Sequence, residues 1–186
     1  MDKRKKTLYL VLISAFTAVT AIATALIAIP GFTGTGYLNF GDAVIFVASV
    51  ILGPLGGAVV GGLGSAIADL FVMPVYAPFT LVVKGVEGFL CGFLYHKAFG
   101  KLKYEFLSRI LSMIIAGAWM VVGYILSDWI ILMVSGANPM DAMAAAAMSN
   151  LITGSIQAGV SVLIAVIVSP KKMGEIFDFN GKDGQK

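Results

Sequence analysis

The sequence predicts an all-α integral membrane protein of six transmembrane helices, with N- and C-termini cytoplasmic. Three observations carry this. Of the 186 residues, 59% are hydrophobic and only 12% are charged, whereas a soluble domain carries about 25% charged residues. The apolar residues come in long blocks rather than short amphipathic stripes, which marks membrane spans and not a large soluble core. Lys and Arg fall into clusters that six crossings bring to a single face.

The first span is expected over residues 7–29. Its charged start and apolar run resemble a signal peptide, but the run is long enough to cross a bilayer and more spans follow. It is read as a retained helix that stops at Pro30-Gly31. Residues 32–38 form a glycine-rich, uncharged loop. The second span covers residues 39–52, residues 53–57 (Gly-Pro-Leu-Gly-Gly) make a tight turn, and the third span covers residues 58–73. Both spans are short against the roughly 20 residues of a full crossing, so they are shallow, tilted or flanked by protein. Residues 74–78 (Pro-Val-Tyr-Ala-Pro) turn the chain into a fourth span over residues 79–95. A polar loop follows over residues 96–105. The fifth span covers residues 106–134 and ends in Ser135-Gly-Ala-Asn-Pro139; the sixth covers residues 140–168 and is closed by Pro170. Residues 1–170 thus form one transmembrane domain, and residues 171–186 a polar cytoplasmic tail.

Orientation follows from the basic residues. Lys3, Arg4, Lys5 and Lys6 precede the first span; Lys97, Lys101, Lys103 and Arg109 surround the 96–105 loop; Lys171 and Lys172 follow the sixth span. The three loops on the other face contain no Lys or Arg. Positive charge stays inside, so the clustered face is cytoplasmic. The net charge of +3 therefore reports orientation and not nucleic-acid binding. Cys91 is the only cysteine and reads as a small buried hydrophobe; no Cys/His cluster offers a metal site.

Small residues recur every four positions: Gly53, Gly57, Gly61 and Ser65; Gly88 and Gly92; Ala146, Asn150, Gly154 and Ala158. Such seams let helices approach closely in lipid. Ser14, Ala18, Ala21 and Ala25, with Thr17, give the first helix a smooth flank, which packs within the bundle or docks another membrane protein.

Charged residues inside the spans are few, and five of them lie in the outer half: Asp42, Asp69, Lys84, Glu87 and Asp128. A charge at the bilayer centre costs about 2.5–3.5 kcal/mol even on lenient scales, so such residues face a cavity or a partner. Lys84 and Glu87 share a helix face, as an ion pair or as a pair whose partners change when a polar ligand enters. Asp42 suits a helix N-terminus. Asp69 opposes its helix dipole, so a contact with Lys84 or with a ligand is expected. Asn150 bonds another helix or a ligand. Tyr37, Tyr76, Tyr124 and Trp129 supply outer aromatic surface, and Asp141 opens the sixth helix at the interface. A small heteroaromatic ligand suits this outer pocket. His96 lies on the cytoplasmic side, away from it.

No G-x-x-x-x-G-K-[ST], H-E-x-x-H or G-x-S-x-G motif is present. Asn39-Phe-Gly-Asp42 lacks the first glycine of the intramembrane aspartyl protease pattern. The chain is expected to be no enzyme, to hold no cofactor and to bind no nucleic acid. No internal repeat of the kind found in many secondary transporters is evident.

Tyr37-Leu-Asn-Phe-Gly-Asp42, Gly53-Pro54, Gly61-Gly62-Leu-Gly-Ser-Ala-Ile-Ala-Asp69 and Tyr76-Ala-Pro-Phe-Thr-Leu-Val-Val-Lys84-Gly resemble the substrate-binding S component of energy-coupling factor (ECF) vitamin transporters. The resemblance is greatest to the hydroxymethylpyrimidine/pyridoxine branch. It implies a six-helix bundle in the bacterial plasma membrane that captures a vitamin at its outer end, with residues 31–38 as a flap hinged at Gly34 and Gly36. It implies Tyr37, Asn39, Asp69, Tyr76, Lys84, Glu87, Tyr124, Asp128 and Asn150 as the substrate site. It also implies partners, one transmembrane T component and two ATPases that consume ATP, with the S component toppling in the membrane. The family's A-x-x-x-A docking pattern is matched by both Ser14-x-x-x-Ala18 and Ala21-x-x-x-Ala25. The alternative is a self-sufficient, ion-coupled carrier using Asp69, Lys84 and Glu87 as a relay.

Overall fold

The computed structural model describes residues 3–30, 37–100 and 102–169. Its elements run α1 (Lys3–Leu26), β1 (Ile29–Pro30), β2 (Tyr37–Leu38), α2 (Gly41–Val72), a 3-10 turn (Pro74–Tyr76), α3 (Ala77–Phe93), a π turn (Leu94–Ala98), α4 (Glu105–Val134) and α5 (Pro139–Val168). Five helical stretches among the described residues are long and apolar enough to cross a membrane. The chain is a multi-pass membrane protein.

The second of these stretches is broken. Gly53 has φ 76 and ψ −171, a conformation open to glycine because it has no Cβ. Asp42 and Asp69 would lie about 40 Å apart on a straight helix, yet both contact α3 residues one turn apart, Lys84 and Thr80. A Cβ on Gly61 would sit 3.2 Å from Ile45 Cγ2. Residues 41–52 and 54–72 are therefore an antiparallel hairpin. The expected turn over residues 53–57 is corrected to Gly53 alone. Pro54 opens the second half at a position where a helix has no need of its N–H, and Gly56-Gly57 are already helical.

Residues 41–53 form the centre of the bundle, with only Val44 short of full burial. Phe46, Val47, Ala48, Val50, Ile51 and Leu52 pack against Cys91 and Tyr95 from the α3 side, Met113 and Ala116 of α4, and Ala165 of α5. Tyr9, Leu12, Ile13 and Phe16 of α1 cover the same core. The shortness of this segment is thus answered by protein neighbours rather than by lipid.

The small-residue seams come together. The second half of α2 runs antiparallel to α3, with Gly57 against Gly88, Gly61 against Lys84 and Gly53 against Gly92. In α5, Gly154 lies against Val121, and Ala158 against Gly117. The expected loop over residues 32–38 is corrected at its end, where Tyr37–Leu38 pair with Ile29–Pro30 as a short antiparallel ribbon. The flap hinges Gly34 and Gly36, the basic Lys101, Lys171 and Lys172, and the 171–186 tail lie outside the described residues. The remaining helix ends fall within a few residues of expectation. α5 is capped by the Asn138 side chain, which accepts from Met140 N at 3.0 Å, with Pro139 at its first turn.

Candidate functional site

One end of the bundle carries a cavity with about 480 Å³ of empty space, its mouth included. Tyr37 and Asn39 reach it from the ribbon, Asp69 from the end of α2, and Tyr76 from the 3-10 turn. Tyr124 and Asp128 come from α4, and Asn150 from α5. Seven of the nine residues expected at a substrate site therefore line one cavity. Met120, Ser149, Thr153, Gly154 and Gln157 complete the wall, and the sequence reading did not single them out as ligand contacts.

The wall is a set of hydroxyl–carboxylate pairs. Asp69 is buried and accepts from Tyr37 Oη and from Thr80 Oγ1. Thr80 Oγ1 also lies 3.0 Å from Tyr124 Oη. Tyr76 Oη donates to Asp128 Oδ1 at 2.6 Å, and Asn150 Nδ2 donates to Asp128 Oδ2 at 2.7 Å. The expected contact of Asp69 with Lys84 is corrected: tyrosine and threonine hydroxyls hold it instead. Burial and the neighbouring Asp69 carboxylate push the Tyr37 phenol above its ordinary range, so it remains a hydrogen-bond donor.

Lys84 and Glu87 do not line the cavity. They lie deeper, at 1% and 0% exposure. Lys84 Nζ donates to Asp42 Oδ1, is 3.0 Å from Glu87 Oε2, and sits 5.4 Å from the Tyr124 ring centroid. The expected Lys84–Glu87 ion pair is present, but Asp42 is the closer partner. Asp42 does open α2, yet its carboxylate is wholly buried and more than a helix-start charge. Gln157 Nε2 donates to Asp42 Oδ2 at 2.7 Å, and Gln157 Oε1 accepts from Asn39 N at 3.1 Å. Gln157 thus joins the cavity wall, the ribbon and the ion set.

Trp129 is absent from the wall and donates to Pro139 O at 3.2 Å. His96 Nε2 lies 2.9 Å from Val50 O, toward the other end of the 41–52 segment. On α1, Thr20 and Thr24 face the bundle, whereas Ser14 and Ala18 are exposed and Ala21 and Ala25 half-buried. Among the described residues, no group of three or more His, Cys, Asp or Glu is placed to hold a metal ion.

The cavity can receive a compact polar ligand, offering acceptors at its carboxylates and amides and aromatic faces at its tyrosines. Over 108 residues the chain is 43% identical to an uncharacterized protein in gap 3'region of Pyrococcus woesei, covering 58% of this chain and 69% of that protein. Residues 4–173 match the family described as ECF-type riboflavin transporter, S component, and the chain belongs to that family of membrane-embedded transport subunits.

Proposed function

We propose that this chain captures a small water-soluble heteroaromatic vitamin at the outer end of its bundle and delivers it across the plasma membrane with a T component and two ATPases. The observation that carries the reading is the cavity wall. Two buried carboxylates, three side-chain amides and three tyrosines converge on one space, and no Lys, Arg or His among the described residues lines it. Such a wall favours ligands rich in hydroxyl, amino or protonated ring-nitrogen groups and opposes phosphate esters. The family description names riboflavin; the motifs between Tyr37 and Gly85 favour the smaller pyridoxine or hydroxymethylpyrimidine. We take the smaller class as the ligand, with Asp69, Asp128 and Asn150 fixing its polar groups.

Six crossings with both termini cytoplasmic belong to this proposal. The hairpin at Gly53 supplies the sixth, and the basic residues around α1 and the α3–α4 loop support the orientation. The Ser14–Ala18 face of α1 is the docking surface for the T component. The chain itself has no ATPase site, cofactor or enzymatic step.

The test is purification in detergent, mass spectrometry of any copurifying small molecule, and binding assays with pyridoxine, hydroxymethylpyrimidine and riboflavin. Binding by the chain alone, with uptake only alongside T component and ATPases, supports the proposal. Uptake into liposomes by this chain alone under an ion gradient would establish the ion-coupled carrier instead.

A further inference from the structure

In the buried interior beneath the cavity two acids share one base. Asp42, Lys84 and Glu87 are each 1% exposed or less. Asp42 is well supplied with donors, from Lys84 Nζ and from Gln157 Nε2. Glu87 has less: among the described residues only Lys84 Nζ supplies it, at 3.0 Å from Oε2.

One ammonium neutralises one carboxylate. A second ionised carboxylate would leave net negative charge buried in the bundle, which loss of hydration strongly disfavours. Of the groups acting electrostatically on Glu87, Asp42 from α2 repels a second anion, and Lys84 from α3 attracts it but is a single positive charge shared with Asp42. The neighbouring thiol, Cys91, is also buried. From α4, Tyr124 presents its ring to Lys84, and its hydroxyl is held by Thr80. From α5, Gln157 spends its amide on Asp42 and Asn39. A metal ion has no place here, because Lys84 Nζ occupies the position between the two carboxylates.

We propose that Glu87 binds a proton and carries it as a neutral carboxylic acid, making the Asp42–Lys84–Glu87 set electrically neutral. This is a proton site within the bundle and separate from the vitamin cavity, so it stands whichever vitamin is bound. The carboxylate oxygen of Glu87 takes one proton from water when the bundle forms and keeps it while the set stays buried.

Infrared spectroscopy of the full chain in detergent at pH 7 tests this. The expected result is a carboxylic acid C=O band, well above the carboxylate region, that belongs to Glu87. It should shift when glutamate is carbon-13 labelled, ignore added sodium, and vanish completely in Glu87→Gln. Labelling decides the matter in the unmutated protein should that variant fail to fold, because of the other two glutamates Glu105 is exposed at the first residue of α4 and Glu175 belongs to the polar C-terminal sequence. A folded protein without this band, a band insensitive to glutamate labelling, a band that persists in Glu87→Gln, or a band that sodium abolishes overturns the proposal.

Discussion

Adding one methyl group to Gly88 tests the geometry of the bundle most directly. A Cβ there would run into the carbonyl of Gly57 and come within 3.2 Å of Ala58 N. Both obstacles are backbone, so no side-chain rotation relieves them; α3 must move away from α2 along the whole seam. Overpacking of this kind costs about 1–3 kcal/mol, occasionally more, and backbone obstacles place Gly88→Ala at the upper end. Gly159 is the control. It lies inside α5, and an added Cβ meets nothing within 4 Å. There the usual gain of alanine over glycine in a helix, about 0.5–1 kcal/mol, should appear. The same substitution thus changes sign between two helices, with a gap of roughly 2–4 kcal/mol. Unfolding of both variants in one detergent, followed by circular dichroism, measures it. Equal midpoints for the two variants, or a neutral Gly88→Ala, would refute the described α2–α3 seam.

Asp69→Ala should weaken ligand binding by tenfold or more, since a hydrogen bond to a charged group contributes about 1.5–3 kcal/mol; unchanged affinity in a titration would remove Asp69 from the site. Lys84→Ala should act on stability instead, by about 3–5 kcal/mol, because it strips the partner from a buried Asp42. A normal unfolding midpoint with lost binding would mean that Lys84 reads the ligand. Ala18→Trp should leave binding intact and abolish most uptake in cells carrying the partner subunits, by roughening the exposed face of α1. Full uptake in that variant would move the docking surface elsewhere, with Ala21→Trp as the next register to try.

The features that sequence displayed were those with a thermodynamic signature in lipid. Asp69 and Asp128 stood out because a charge in a span demands an explanation, and Tyr37, Tyr76 and Tyr124 because polar aromatics gathered at one end. Gln157, Thr153 and Ser149 are neutral and sit in an alanine-rich helix, so none raised the same alarm. A signal was nevertheless there: positions 150, 153, 154 and 157 follow the i, i+3, i+4, i+7 spacing of one helix face. The pairings themselves were out of reach. That Asp42 rather than Glu87 is closer to Lys84 depends on how the Gly53 hairpin sets residue 42 beside residue 84, and nothing local to either residue encodes it. The ribbon joining residues 29–30 to 37–38 is likewise a long-range choice, made where only a flexible loop was visible.

The central half of α2 has a consequence for biogenesis. Residues 41–52 extend only about 18 Å as a helix, well short of a hydrocarbon core of about 30 Å, and they carry Asp42 at one end. A segment this short, with an acid, is a poor candidate for stable insertion by itself. Its natural route into the bilayer is as one arm of a pair with residues 54–72, closed at Gly53. Its full burial further requires α3, α4 and α5 to arrive after it. During synthesis this segment therefore waits, partly lipid-exposed, for helices made later, and Asp42 meets Lys84 and then Gln157 in that order.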